Sequence, residues 1–437
     1  MKLKQQINKW FVKSSFVRNV LTLMTGTSLA YGMTAIAEPF IARIYTPDAY
    51  GIFAVYFSIV SILSIGVCWR YELAIVLPET EEDSINVLIL SLGLALITSL
   101  IFALIFFLFS QPLSELFGIN NLYVLIIIIP ISIFITGFYQ CISYWLTKTK
   151  DFKNLSFFKF LKVFLIIFLQ ILFGFFYKDN NLGLIIAYTL SLGLANLFLG
   201  VRVYNKIKFK MVRCLSYQRM FTLMNRYRKY PIYSILPSFL NTSTLRMPVF
   251  FLSTFFTASV AGQYSLSMRL LLLPSALVIA EISKVNHQKF VEDKYNKRLS
   301  NSMIKAFWLL FCISISGGIL IFIFASFIFT SLFGSQWETA AIYTKVLAPS
   351  LILRMIVSPL SIVFGIMDRQ EVAAGWQIAS NITTIAFLGL SLQFNDPLIS
   401  LYLLCLNDLI MYTIYLLLIF RISHVKLSKL FSLNFLS

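Results

Sequence analysis

The chain has 437 residues, of which 59% are hydrophobic and 12% charged, with a formal net charge of +18. A soluble chain carries about a quarter charged residues, and no single soluble core could hide this much apolar surface, so the solvent is lipid. The positive charge sits in short loops between apolar runs, which assigns it to orientation in a membrane and not to nucleic acid.

From Met1 to Arg18 the chain is basic, and Leu3, Ile7, Trp10 and Phe11 recur at helical spacing. That spacing predicts a short interfacial helix. The next apolar run is too long for a signal-peptide core and lacks a small-residue cleavage site, so it reads as an uncleaved span. About twelve spans follow, at residues 20–42, 51–70, 85–110, 122–146, 160–177, 182–204, 230–256, 262–283, 303–330, 342–364, 373–393 and 398–420. Each is near the ~20 residues that cross a bilayer. The second run continues through Arg70-Tyr71-Glu72 into Leu73-Ala74-Ile75-Val76-Leu77, which predicts a helix prolonged past the membrane. On such a helix Arg70 and Glu72 would point about 200° apart and would not pair.

Lysine and arginine fall on alternate sides. One side has the N-terminal tail, the 147–162 loop with Lys148, Lys150, Lys153, Lys159 and Lys162, the 202–229 loop, the 284–298 loop, and the tail with Arg421, Lys426 and Lys429. The other holds only Arg43, Lys178 and Lys345. This alternation predicts cytoplasmic N- and C-termini, with the basic loops against anionic lipid. The longest loop divides the chain into an N-terminal six-helix bundle at 1–204 with its basic tail, a basic cytoplasmic linker at 205–229, a C-terminal six-helix bundle at 230–420 and a cytoplasmic tail at 421–437. No room is left for a folded catalytic domain outside the membrane.

The halves resemble each other. Pro39-Phe40, Thr46 and Ala49-Tyr50-Gly51 in the first correspond to Pro248-Val249, Thr257 and Val260-Ala261-Gly262 in the second. Leu116-Phe117-Gly118 corresponds to Leu332-Phe333-Gly334, and each precedes a proline in the next span, Pro130 and Pro349. Both halves start on the same side, which predicts a parallel repeat with a pseudo-twofold along the membrane normal and a binding cleft between two rocking bundles.

Charged groups within spans are expensive and carry functional hypotheses. Arg246, Arg269 and Arg354 all lie in the C-terminal half. Facing a cleft, they would form a cationic surface for phosphate, because guanidinium binds phosphate oxygens through two parallel hydrogen bonds. Pairing with a carboxylate, or reaching to the interface, is the plainer alternative for each. Glu38 and Asp408, the latter beside Asn407, are candidates for proton or cation coupling, or for neutralising an arginine. Pro231, Pro237 and Pro248 interrupt the seventh span around Asn241, Thr242, Ser243 and Thr244. A kinked polar helix of this kind is tolerated where it lines a cavity, so Asn241 joins the candidate substrate-binding residues. Tyrosines and tryptophans at span ends read as interface anchors. Cys68, Cys141, Cys214, Cys312 and Cys405 are unclustered, and His287 and His424 are isolated. The chain has no metal motif, nucleophilic triad, phosphate-binding glycine loop or dinucleotide fingerprint, so neither catalytic residues nor a cofactor are predicted.

Leu21-Thr22-Leu23-Met24-Thr25-Gly26-Thr27, the stretch from Arg43 to Ala54, and Arg70-Tyr71-Glu72-Leu73-Ala74-Ile75-Val76-Leu77-Pro78 together resemble the N-terminal part of the polysaccharide-export flippases of the multidrug/oligosaccharidyl-lipid/polysaccharide (MOP) superfamily. The resemblance covers about the first 90 residues and implies an all-α polytopic fold like that of the MATE transporters. It further implies movement of an undecaprenyl-diphosphate-linked oligosaccharide across the bacterial cytoplasmic membrane for O-antigen or capsule assembly. A polysaccharide polymerase and a chain-length regulator would be partners, and proton or sodium antiport through Glu38 or Asp408 the energy source. Three other readings compete. A drug/cation antiporter of the same fold would favour carboxylates over arginines. An O-antigen polymerase or other membrane glycosyltransferase would need a large external loop. A scaffold for polysaccharide assembly needs no transport at all.

Overall fold

The computed structural model describes residues 15–117, 123–176, 182–296 and 298–425. The interfacial helix expected at Leu3 to Phe11 lies outside the described residues, as do Gly118, Lys178 and the tail from Lys426. Every regular element among the described residues is helical. Such a chain, in lipid, satisfies its backbone within each segment. Among the described residues, seven helical stretches are long and apolar enough to cross a bilayer by length and composition, and the chain is a multi-pass membrane protein. The helices fall into two compact units divided between Thr242 and Ser243.

The first unit begins with α1 (Ser15–Ile44) and α2 (Pro47–Leu63), continues with α3 (Glu81–Leu108), α4 (Ser110–Phe117), α5 (Tyr123–Lys148), α6 (Phe152–Phe176) and α7 (Gly183–Cys214), and reaches α8 (Tyr217–Arg226) and the start of α9 (Lys229–Phe255). Its main packed pairs are α1 with α6, α6 with α7, and α3 with α5. Lipid gives helices no hydrophobic reason to associate, so small residues and satisfied polar groups hold them together. A Cβ on Gly137 of α5 would lie 2.7 Å from Val67 Cγ1, so only glycine allows this approach. The Tyr56 hydroxyl is 2.6 Å from Ser132 Oγ and 2.9 Å from Thr189 Oγ1, joining α2, α5 and α7. Tyr45 donates to the Gln170 carbonyl at 2.8 Å.

The second span ends earlier than its apolar pattern predicts. Helix α2 stops at Leu63, Trp69 and Arg70 take left-handed conformations (φ 52° and 62°), and Tyr71–Val76 forms a 3-10 turn. Left-handed backbone at two successive residues cannot continue a right-handed helix. The expected opposition of Arg70 and Glu72 therefore fails, and their side chains form an ion pair at 3.4 Å, with Glu72 only 1% exposed. Lys148 at the end of α5 donates to the Val76 and Pro78 carbonyls and ties this segment down.

Helix α3 starts on a Thr80 cap that accepts from Asp83 N at 3.2 Å, followed by Glu81, Glu82 and Asp83, where the helix dipole favours anions. Part of the basic linker docks on this acidic end. Lys210 reaches Glu81 at 2.6 Å and Arg219 reaches Glu82 at 2.7 Å. Asn86 accepts from Ser216 N and donates to the Cys214 carbonyl.

The second unit contains the rest of α9 with α10 (Ala258–Tyr295), α11 (Leu299–Ile328), α12 (Glu338–Leu360), α13 (Val363–Ile366), α14 (Gln370–Ser391) and α15 (Pro397–Ile422). Helix α12 packs on α10, α11 and α15, and α14 packs on α15. One end of the unit is an apolar core that includes Phe290, Met303, Ile304, Val357, Leu360 and Phe364. Leu332-Phe333-Gly334 closes a single π-helical turn, and Gly334 has φ +109°, a region that favours glycine. The two Thr motifs of the sequence repeat act alike. Thr46 caps α2 by accepting from Ala49 N at 3.3 Å, and Thr257 caps α10 by accepting from Val260 N at 3.2 Å.

Candidate functional site

The second unit holds a polar column among apolar helices. Helix α9 runs unbroken through Pro231, Pro237 and Pro248, so the expected interruptions are absent from its helical backbone. Membrane helices tolerate proline where neighbouring groups resatisfy the freed carbonyls. On α9 the Thr244 hydroxyl donates to Asn381 Oδ1 at 2.7 Å and accepts from Gln377 Nε2 at 2.9 Å. Asn381 Nδ2 in turn donates to the Gln377 carbonyl at 2.8 Å. Gln377, Asn381 and Thr384 recur at i, i+4 and i+7, which places them on one face of α14. Asn407 of α15 reaches the same face, donating to Thr384 Oγ1 at 3.1 Å.

Beside this ladder stand the charges. Tyr264 of α10, only 3% exposed, is within electrostatic reach of Arg246 on α9, Arg354 on α12 and Asp408 on α15. Arg246, Arg354 and Asp408 are each half-buried. Asp408 and Arg354 are within electrostatic reach of each other. Tyr412, one turn beyond Asp408 on the same face of α15, puts its ring 5.9 Å from the Arg354 guanidinium carbon. That separation fits a cation over an aromatic face. Trp376 backs the ring at 5.3 Å, stacks on Tyr415 at 3.9 Å, and donates from Nε1 to the Met411 carbonyl at 2.8 Å. The Tyr412 ring gives the Arg354 head an aromatic face, and Asp408 adds an opposite charge within electrostatic reach.

Three of the residues singled out in the sequence, Arg246, Arg354 and Asp408, thus share one cluster. Arg269 is half-buried on α10, about 140° round that helix from Tyr264. Asn241 is exposed and falls in the first unit, as does Glu38, which is 4% exposed on α1. Sequence reasoning missed Tyr264, Tyr412, Gln377 and Asn381. The i, i+4, i+7 polar stripe on α14 was a readable signal, and so was the i, i+4 spacing of Asp408 and Tyr412. Chemically, two guanidinium groups and one carboxylate in a tyrosine-lined apolar bundle form a site of net positive charge. Such a site can attract an external anion to its guanidinium groups.

A family model described as polysaccharide biosynthesis protein matches residues 40–342. No curated protein matches the chain. Among solved structures, the chain resembles an inward-facing multidrug resistance MATE family transporter of the MOP superfamily, with 18% identity and a TM-score of 0.71 over 94% of this chain and 99% of that one. It also resembles the lipid II flippase MurJ in an inward closed conformation, with 14% identity and a TM-score of 0.72 over 94% of this chain and 90% of that one. A third neighbour is a MOP superfamily transporter from Pyrococcus furiosus, described as having a binding pocket of reverse polarity, with 16% identity and a TM-score of 0.59 over 93% and 95% of the two chains. At these identities the likeness establishes the MOP transporter fold.

Proposed function

The chain belongs to the polysaccharide biosynthesis protein family, and from that membership we propose that it is a flippase for an undecaprenyl-diphosphate-linked oligosaccharide in the bacterial cytoplasmic membrane. The observation that carries the reading is the gathering of Arg246, Arg354 and Asp408 around Tyr264 within one bundle. A diphosphate crossing a bilayer needs fixed cations, and guanidinium groups match its oxygens. The lipid II flippase of the same fold supports this substrate class, since its own cargo is a lipid. No covalent bond is made or broken in flipping, so the chain works as a transporter and not as an enzyme.

Alternating access driven by an ion gradient follows from the charges. Asp408 lies within electrostatic reach of Arg354, so the occupancy of one bears on that of the other. In the antiport cycle the diphosphate leaves Arg354 for the outer leaflet, and an ion then binds at Asp408 and returns inward with the empty site. Ion and substrate thus take the site in turn, as exchange down an inward ion gradient requires. Five helices add to the seven clearly apolar spans to give twelve: α1, α2, α9, α10 and α14. The termini lie in the cytoplasm by the charge asymmetry of the loops. Exported units pass to a polymerase and a chain-length regulator.

The reading is tested in a strain deleted for the gene. Diphosphate-linked oligosaccharide is extracted and quantified, and spheroplasts are treated with a membrane-impermeant sugar-modifying reagent. Accumulated units shielded from the reagent are the expected result. Exposed but unpolymerised units would replace the flippase with a polymerase or scaffold. Unchanged lipids with new sensitivity to toxic cations would make it a drug antiporter.

A further inference from the structure

At one end of the second unit a cavity of about 400 Å³ opens between the α13–α14 turn and the end of α15. It is separate from the polar column. Arg421 on its rim lies 13 residues beyond Asp408, about 20 Å along α15. Its wall is aliphatic, with Val372, Leu418 and Ile422, and its rim is basic, with Arg369, Arg421 and His424. Leu418 and Ile422 are one turn apart on one face of α15, so the aliphatic surface runs along the helix while the cations gather at its end. Arg369 directly precedes the first residue of α14, a helix of 22 residues. The free N–H groups and positive dipole end of that helix add to the attraction for an anion. Hydrogen bonds from Arg369 N to the Phe364 carbonyl at 2.8 Å, and from Val425 N to the Phe420 carbonyl at 2.9 Å, secure the two turns that carry the basic residues. Two carboxylates are near in sequence. Glu371 is 3.5 Å from Arg369, with both side chains over 60% exposed, and pairs of that kind are weak. Asp368 is exposed, and neither carboxylate lines the cavity.

We propose that this cavity is a binding site for an anionic phospholipid of the surrounding leaflet, with the headgroup phosphate on Arg369 and Arg421 and an acyl chain along Leu418 and Ile422. Basic pockets between membrane helices recognise such headgroups. A free phosphate would have no use for the aliphatic wall. A zwitterionic lipid would bring a cation to a rim that already has two guanidinium groups. The bound lipid bridges the start of α14 to the end of α15 and so fastens the two helices that carry Asn381 and Asp408.

The experiment uses the full-length protein in detergent and measures its melting with phosphatidylglycerol, phosphatidylcholine, undecaprenyl diphosphate or inorganic phosphate. R369Q/R421Q is compared with R213Q/R228Q, which removes the same charge from exposed positions on the linker. Phosphatidylglycerol is expected to stabilise the wild type and the linker variant alike, while R369Q/R421Q binds it about tenfold more weakly or worse. Phosphatidylcholine and inorganic phosphate are expected to have no effect. R421Q alone, which leaves the α13–α14 turn untouched, is expected to lose part of the response and covers the case in which the double variant does not fold. An unchanged response in R421Q and R369Q/R421Q overturns the proposal. So does equal stabilisation by inorganic phosphate, which would mean a free-anion site. Displacement of phosphatidylglycerol by undecaprenyl diphosphate also overturns it and would assign the cavity to the carrier.

Discussion

A charge in hydrocarbon survives only in company, and each charged residue of the second unit has its own means. Arg354 has the Tyr412 ring beside it and the Asp408 carboxylate within electrostatic reach. Charge-assisted hydrogen bonds contribute about 1.5–3 kcal/mol, so Arg354→Gln should lower flipping about 10- to 100-fold. Arg354→Lys should rescue it only partly, because an ammonium keeps the charge and loses the two-pronged geometry. Asp408→Asn should allow substrate binding yet abolish the dependence of flipping on an imposed ion gradient, and Asp408→Glu should restore that dependence. Transport measured in vesicles with and without the gradient checks all three. Outside the spans, Asp151 illustrates the opposite balance. Its partial burial works to raise the carboxyl pKa, but hydrogen bonds from Lys206 at 2.6 Å and from Asn154 outweigh it and hold the group below its ordinary value. A depressed carboxyl stabilises the fold above its unfolded pKa and loses that contribution as pH falls. Asp151→Asn should therefore melt lower than the wild type at neutral pH, with the gap closing below about pH 4. Arg246, Arg354 and Asp408 were conspicuous in the sequence because charge in an apolar run is rare. Tyr264 and Tyr412 were not, because a tyrosine near a span end has the same appearance whether it anchors at the interface or faces a buried arginine.

At the scale of elements, two helices that carry polar groups of the site are hard to recognise as spans. Helices α9 and α14 are long enough to cross a bilayer but too polar to stand among the clearly apolar stretches, whereas α12 and α15, with Arg354 and Asp408, stand among them. Arg246 on α9 and Gln377 and Asn381 on α14 dilute the hydropathy signal because they face protein instead of lipid. The other departure from pattern is the segment after α2. Its apolar residues continue the helical appearance, yet left-handed backbone at Trp69 and Arg70 turns it into a short 3-10 piece. Nothing in residue type announces two non-glycine left-handed positions; they are imposed by packing. Gly137 is part of that packing, with Val67, Cys68 and Ala95 all within 3.3 Å of where its Cβ would be. Gly137→Ala should destabilise the protein by about 1–3 kcal/mol through overpacking. A lowered melting temperature in detergent, with transport per folded molecule unchanged, is the expected reading, and an unaltered melting curve would show that the turn yields.

At the scale of the whole chain, charge placement and apolar length made the membrane class and the polytopic architecture legible, whereas the docking of the linker was hidden. The sequence shows a basic stretch suited to anionic lipid. In the folded protein Lys210 and Arg219 are engaged by Glu81 and Glu82, since an acidic helix start competes with lipid for the same cations. That docking places Cys214, the last residue of α7, in a half-buried position where Asn86 holds its carbonyl. The other four cysteines differ. Cys68, Cys141 and Cys405 are buried, and Cys312 is exposed only along the apolar helix α11. A water-soluble reagent reaches neither a buried thiol nor one that faces hydrocarbon. The native chain therefore carries a single usable chemical handle, and it sits on the linker. A water-soluble maleimide should leave intact spheroplasts unlabelled and tag one site per chain once the membrane is opened. Labelling of unopened spheroplasts would turn the molecule upside down, so the orientation of the chain can be read from a native thiol with no engineered residue.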